Sequence, residues 1–134
     1  MNLRQLTDQG VSVALGSDIG GGTSLSPFRT MATAYKIQAL QQRRLHPVEL
    51  FYLATLGGAE ALSLESETGN FIPGKSADFV VLKPHRNRLL SERLMRDSDL
   101  IVRLFATIVH GDDRLTDEVF IGGKCVFSAN QVSL

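Results

Sequence analysis

The stretch ALGSDIGGG, residues 14–22, places one acidic side chain between an apolar run and a run of glycines. The acid is Asp18, and the glycines are Gly20, Gly21 and Gly22. A carboxylate here could bind a metal ion or accept a proton. The glycines beside it would let a ligand approach the backbone closely. The same residues could also form a plain turn, with Asp18 capping a helix and the glycines taking positive φ angles.

A phosphate-binding loop is the third interpretation of this stretch. Gly16 and Gly21 have the separation of the two glycines in a Walker A loop, and Thr23 takes the hydroxyl position. The lysine position of that loop, however, is held by Gly22. Because the lysine is the main cation for the β- and γ-phosphates, the sequence argues against a nucleotide site.

Three histidines are further candidate metal ligands. His46 precedes Pro47 and fits a helix cap or a loop. His85 lies in the polar turn KPHRNR, and His110 ends a predicted helix, where the helix dipole favours a cation. We expect structural roles for all three histidines. Asp18 alone cannot hold a catalytic zinc ion, which usually has three protein ligands.

The elements that must position Asp18 begin with a predicted strand. Residues 11–15, VSVAL, form a short apolar run, typical of a parallel strand covered on both faces. Asp18 would then follow the carboxyl end of this strand, where parallel α/β folds collect their ligand sites. This position leaves a ligand role open for Asp18, although the pattern by itself favours the plain turn.

Two helices are predicted after the glycines. Ser26 and Pro27 supply an N-cap and a first turn for one helix. The second begins at Pro47 and runs through residues 48–64. Its paired glycines, residues 57–58, each weaken a helix by about 1 kcal/mol relative to alanine, so we expect close packing at this point.

From Gly69 onward the sequence predicts a small β-rich module that carries one helix. A strand is predicted over residues 78–82, and a helix over residues 99–109. Glycines at 122–123 join two β-rich runs, which is a strong hairpin signal. We expect the helix to cover a sheet made of this strand and hairpin. The basic stretch between residues 83 and 103 is interpreted as solvated surface.

Other polar and aromatic residues are assigned structural roles. Lys75 and Asp78 are expected to organise the turn before the β module, and residues 112–114 to bind one another in a polar loop. Cys125 is expected to be a small buried hydrophobe. Five aromatic residues lie at helical spacing and are expected in the core: Phe28, Tyr35, Phe51, Tyr52 and Phe105.

Composition excludes several classes of protein. The 14 basic and 14 acidic residues leave no formal net charge, so neither nucleic acid nor an anionic membrane is expected as a partner. One cysteine excludes a disulfide framework and fits a reducing compartment. The first ten residues resemble neither a signal peptide nor a membrane span. We therefore expect a cytoplasmic protein.

Several segments resemble guanine deaminases, within the amidohydrolase superfamily. ALGSDIGGGTSLSPFRTM resembles the segment that ends the eighth barrel strand of these enzymes. LATLGGAEALSL and GNFIPGKSADFVVL are similar to the superfamily's last helix and its return into a small β domain. LFATIVHGDDR and FIGGKCVF resemble the guanine deaminase C-terminus. The resemblance extends over residues 11–127.

The resemblance implies a fold and an activity. The fold is α/β: residues 1–68 would be the C-terminal end of a metal-dependent β/α barrel, and residues 69–134 part of the small β-rich domain. The activity is zinc-dependent deamination of guanine to xanthine with release of ammonia. Asp18 matches the family's aspartate that ligates the metal and takes a proton from the metal-bound water. The family's histidine ligands, its glutamate and its substrate-contacting residues would lie upstream.

A complete β/α barrel needs about 250 residues, so this chain of 134 residues can hold only one strand-helix unit of it. We expect the isolated chain to be inactive. Two alternatives stay open: a portion of another deaminase or chlorohydrolase of the superfamily, or a non-catalytic interaction fragment. Because the strand at residues 11–15 and the helix at Pro27 would lack barrel partners, we also expect a homo-oligomer.

Overall fold

A computed structural model describes residues 2–130 of the chain. It is a mixed structure of helices and one antiparallel sheet. In chain order the elements are α1 (Leu3–Asp8), α2 (Pro27–Leu40), α3 (Pro47–Ala54), α4 (Leu56–Ala61), β1 (Phe79–Leu82), α5 (Arg88–Met95), α6 (Leu100–His110), β2 (Thr116–Ile121) and β3 (Lys124–Ser128). Within the described range, none of these helices has the length and apolar character needed to cross a membrane.

Two helix starts that the sequence predicts are confirmed. The helix α2 begins at Pro27, with Ser26 in the extended N-cap conformation, although the Ser26 hydroxyl makes no capping hydrogen bond. The helix α6 begins after Asp99, whose carboxylate accepts hydrogen bonds from two backbone N–H groups of the first turn. Gly111 follows its last residue. Proline and an acidic cap thus set these boundaries locally.

The prediction of one helix through residues 47–64 is wrong, because the chain breaks at Thr55 into α3 and α4. Thr55 has φ −130° and ψ −97°, outside the helical region. The break brings the Tyr52 hydroxyl into a hydrogen bond with the Glu60 carboxylate, which raises the pKa of Tyr52. A Cβ atom on Gly57 would lie only 3.0 Å from the Tyr52 ring, so the close packing expected at this glycine is confirmed.

The predicted strand and hairpin form a three-stranded antiparallel sheet in the order β1-β2-β3. Phe79 of β1 is paired with Phe120 of β2, and their rings stack with centroids 4.5 Å apart. Gly122 and Gly123 have φ values of 55° and 76°, as a two-residue hairpin loop requires. The β-rich end of the chain is therefore confirmed.

The core is one cluster that residues from both halves of the chain build. Its buried members are Leu3, Phe28, Met31, Leu45, Leu50, Leu53, Leu90, Leu94, Ala106, Ile108 and Leu115. The helix α6 packs against α2, α3 and α5, so the expectation that it covers the sheet is wrong. The same packing covers Phe28 and Met31 of α2, which the sequence predicted to lack partners.

The strand predicted over residues 11–15 is absent from the described structure. These residues are extended, with Val13 and Leu15 turned toward the core and Ser12 and Ala14 exposed. The Leu15 N–H donates to the carbonyl of Leu53 in α3, which is not a strand. A strand needs a neighbouring strand to pair with. The three strands of residues 2–130 all belong to the sheet β1-β2-β3, and none of them pairs with residues 11–15.

Three smaller expectations are corrected. Cys125 is exposed, since β3 is an edge strand whose residues face solvent. Tyr52 lies outside the core with 41% of its surface exposed, because its hydroxyl bonds the surface residue Glu60. The basic stretch is solvated at Arg88, Arg93 and Arg96, as expected, but it also contains the helix α5, whose Leu90 and Leu94 are buried in the core. The sequence signal for α5 is its N-cap residue Asn87, whose side-chain oxygen accepts a hydrogen bond from the Leu90 N–H.

Candidate functional site

Asp18 lies at the rim of a cavity of about 470 Å³ between the extended segment and α2. Its apolar lining residues include Val13, Leu15, Ala34, Ile37 and Leu53. Its polar lining residues include Asp18, Thr23, Ser24, Arg29 and Thr30. A largely apolar cavity with a few polar groups is the usual form of a small-molecule site.

The backbone of Asp18 is in the left-handed region, with φ 48°. Its carbonyl oxygen accepts hydrogen bonds from the N–H groups of Gly21, at 3.0 Å, and of Gly22. Few residues other than glycine adopt this conformation, although aspartate does so more readily than most. The tight turn leaves the Asp18 side chain exposed to solvent.

The carboxylate of Asp18 has no hydrogen-bond or ion-pair partner among residues 2–130. A carboxylate that the fold does not use keeps all its lone pairs for a ligand or a proton. The arrangement can therefore donate to a metal ion or accept a proton at the cavity rim.

The plain-turn interpretation of the glycine run is confirmed in part: residues 18–22 form a turn, and Gly20 has φ 104°. Asp18 caps no helix, because the N-cap position of α2 belongs to Ser26. The backbone N–H groups of the glycines do not begin a helix either, since α2 starts only at Pro27. A Walker A loop leads directly into its helix, so the phosphate-loop interpretation is also wrong.

The histidines have the structural positions that the sequence predicts. The imidazole Nδ1 of His46 accepts from the Val48 N–H at 3.3 Å, at the start of α3. His85 lies in the short 3₁₀ turn Pro84–Arg86, and His110 is the last residue of α6. Within the described part of the chain, no group of three His, Cys, Asp or Glu side chains could hold a metal ion.

The acidic residues of the polar turns are used by the fold. Asp112 binds the Arg114 guanidinium, which lowers the pKa of its carboxyl group, so the predicted pairing in this loop is confirmed. Asp78 accepts three hydrogen bonds in the turn before β1, and the Lys75 ammonium group donates to the Thr68 carbonyl oxygen at 3.5 Å. Both residues organise this turn as expected.

Asp117 is a buried acid that the sequence analysis did not single out. Only 3% of its side chain is exposed, and its oxygens lie 2.6 Å from Lys83 Nζ and 2.6 Å from Arg86 Nη2. The ion pairs join β2 to the segment after β1. The only signal in the sequence is an acid inside a β-rich run, which does not distinguish this buried position from a solvent-facing one.

Residues 1–126 of the chain match the Amidohydrolase family. The guanine deaminase of Escherichia coli is 42% identical over 129 residues, which are 96% of this chain and 29% of that protein. Its solved structure superposes with a TM-score of 0.91 over 95% of this chain and 30% of that one.

Two other solved structures carry ligands that bear on this site. The guanine deaminase of C. acetobutylicum, with guanine bound in its active site, is 31% identical, with a TM-score of 0.74 over 95% of this chain and 30% of that one. An adenosine deaminase of Xanthomonas campestris with bound zinc is 25% identical, with a TM-score of 0.72 over 90% of this chain and 26% of that one. The chain spans less than a third of the length of each of these proteins.

Proposed function

This chain belongs to the amidohydrolase family, and on that premise we propose that it forms the C-terminal portion of a guanine deaminase. The reaction would be guanine and water to xanthine and ammonia. The observation that carries the proposal is the 42% identity to the E. coli guanine deaminase over 96% of this chain. The 0.91 TM-score to the same enzyme supports it at the level of the backbone.

The proposed architecture places residues 1–68 at the end of a β/α barrel and residues 69–134 in a small β-rich domain. Residue 1 and residues 131–134 of these ranges lie outside the described residues. The extended segment at residues 11–15 supports the barrel assignment, because its side chains alternate between core and solvent, as a strand's would. In a longer chain this segment would pair with further barrel strands.

Zinc is the metal we propose for the complete enzyme, and the residues described here do not form a zinc site by themselves. Asp18 would contribute one carboxylate to a site whose other ligands lie outside this chain. Its unpartnered side chain at the cavity rim fits that role. The zinc bound to the X. campestris adenosine deaminase supports the choice of metal.

The reaction also needs an acceptor for the proton of the attacking water, and we assign this role to the same carboxylate. A proton acceptor must lie within hydrogen-bond reach of the reacting water and be free of competing donors. Asp18 satisfies the second condition among the described residues. Guanine is the substrate we propose, and the residues that contact it would lie in the part of the enzyme upstream of this chain.

A hybrid enzyme tests the proposal directly. The matching segment of the E. coli guanine deaminase is replaced by this chain, and xanthine formation is measured. The hybrid should deaminate guanine, whereas the 134-residue chain alone should bind zinc weakly and form no xanthine, because it supplies one ligand of the usual three.

The control is the unmodified E. coli enzyme under the same conditions. Circular dichroism and the melting temperature of the hybrid establish that it is folded. A folded hybrid without activity, or xanthine formation by the purified chain alone, would contradict the proposal.

Self-association and a cytoplasmic location stay predictions. Exposed apolar side chains on the sheet, Val80, Ile121 and Phe127, support association of this chain with a copy of itself or with the rest of a longer protein. Guanine is proposed as the substrate, and neither nucleic acid nor a membrane is proposed as a partner, since the formal net charge is zero.

A further inference from the structure

We propose that Gly21 is a positioning residue for the Asp18 carboxylate. Its missing side chain provides the space that this carboxylate occupies. The geometric part of the proposal stands on the structure of the loop alone. Its consequence for catalysis rests on the function proposed above.

The evidence is the position that a side chain on Gly21 would take. A Cβ atom there would lie 2.7 Å from Oδ2, 3.4 Å from Cγ and 3.7 Å from Oδ1 of Asp18. All three neighbours belong to one side chain. A separation of 2.7 Å is far below van der Waals contact, so alanine at position 21 and the present direction of the carboxylate exclude each other.

The Asp18 side chain is the part that would move, because all three atoms near the added Cβ belong to it. The carbonyl oxygen of Asp18 is held by the N–H groups of Gly21 and Gly22, and this turn places Asp18 at φ 48°. Gly21 itself does not have a positive φ between +20° and +160°, so alanine is compatible with its backbone. The carboxylate has no hydrogen bond that would resist rotation among the described residues. A methyl group at position 21 would therefore move the Asp18 side chain to another rotamer and leave the turn in place.

The other glycines of the segment have different reasons to be glycine. A Cβ atom on Gly22 would overlap the Ser17 carbonyl oxygen, which belongs to the backbone. Gly20 has open space around it but a φ of 104°. Gly16 has open space and no such φ, so alanine fits there. Gly16→Ala is therefore the matched control for Gly21→Ala.

The first measurement is the side-chain rotamer of Asp18 by NMR, from its Hα–Hβ couplings in the 134-residue chain. Gly21→Ala should change these couplings, and Gly16→Ala should leave them as in the wild type. Both variants should melt at the wild-type temperature or a few degrees above it, because no backbone contact is lost and alanine lowers the entropy of the unfolded chain. Unchanged couplings in Gly21→Ala would overturn the proposal.

A double variant covers the case in which Gly21→Ala does not fold. Asp18→Ala removes the three atoms that a Cβ atom at position 21 would meet. The double variant Asp18→Ala/Gly21→Ala should therefore fold as Asp18→Ala does. If it fails as well, the contact with Asp18 is not the cause, and the proposal is wrong.

The second measurement is turnover in the hybrid enzyme. Gly21→Ala should lower kcat by about 10-fold or more with little change in KM, since misplacing a reacting group by about 1 Å can cost about 10²-fold. In an Asp18→Asn hybrid, Gly21→Ala should not lower kcat any further, because both changes act through the same carboxylate. An active hybrid whose kcat is insensitive to Gly21→Ala would overturn the catalytic part. A hybrid with no activity at all would count against the proposed function and leave the NMR result to decide the role of Gly21.

Discussion

Two aspartates in glycine-containing loops, Asp18 and Asp78, have opposite surroundings. The Asp78 carboxylate accepts hydrogen bonds from Ser76 Oγ at 2.7 Å, Thr68 Oγ1 at 3.0 Å and the Gly122 N–H at 2.7 Å. The Asp18 carboxylate accepts none within residues 2–130 and sits on a backbone at φ 48°. One acid joins two loops, and the other is held out at the rim of a cavity.

The difference shows how to separate a structural acid from a candidate functional one. Both residues are exposed, so exposure alone does not distinguish them. The hydrogen bonds do: those from Gly122 and Ser76 lower the pKa of Asp78, because they stabilise its charged form. Asp18 has an unfavourable backbone conformation, and its side chain makes no hydrogen bond within residues 2–130. This combination favours a role in binding or catalysis.

The largest expected effect is on activity in the hybrid enzyme. Asp18→Asn keeps the shape of the side chain but removes its basicity, so kcat should fall by about 10²-fold or more. Asp78→Asn should leave kcat within about 3-fold of the wild type, because its carboxylate only joins loops. The kcat of each variant is measured as the rate of xanthine formation at saturating guanine. Near-wild-type turnover of Asp18→Asn would assign Asp18 a structural role like that of Asp78.

The second effect is on stability, and here Asp78 should matter more. Asp78→Asn should lower the melting temperature at neutral pH, because an amide cannot accept all three hydrogen bonds. The pKa of Asp78 in the folded state lies below its ordinary value of 3.8. The charged form of Asp78 therefore stabilises the fold at pH values above 3.8. This contribution is lost as pH falls through the folded-state pKa.

Thermal unfolding between pH 2 and pH 7 checks this prediction. The gap between the wild type and Asp78→Asn should be constant at neutral pH and should close in the acid range. Asp18→Asn controls for the loss of one negative charge. A gap that stays constant down to pH 2 would show that the hydrogen bonds to Asp78 do not favour its ionised form.

The smallest effect is a gain in stability at Asp18. Glycine tolerates φ 48° without backbone strain, and removing that strain should stabilise the fold by about 1 kcal/mol. Glycine also raises the entropy of the unfolded chain, which offsets part of this gain. Asp18→Gly should therefore stabilise the fold by about 0.5 kcal/mol while abolishing activity in the hybrid. Urea unfolding measures the difference, with Asp18→Ala as the strained control. A loss of stability in Asp18→Gly would mean that the fold depends on the Asp18 side chain after all.

Local signals were sufficient for much of the chain. Pro27 and the glycines at 122–123 predicted the start of α2 and the hairpin, because caps and turns are decided by a few adjacent residues. The family was also predictable, since several segments resemble the amidohydrolase superfamily and residues 1–126 match the Amidohydrolase family.

What the sequence could not determine depends on partners that are distant along the chain. An apolar run such as residues 11–15 becomes a strand only when another strand pairs with it, and the described residues hold no such neighbour. The break at Thr55 is accompanied by contacts of Tyr52 with Gly57 and Glu60, and helical periodicity does not predict them.

The candidate site divides in the same way. The sequence named Asp18 as the candidate, from its place after an apolar run and from the resemblance of its segment to guanine deaminases. Only the tertiary structure showed that its carboxylate has no partner in the described residues, that its backbone is left-handed and that Gly21 makes room for it. These properties are set by which groups meet in space and by the volume left between them, and neither the order nor the spacing of the residues records that.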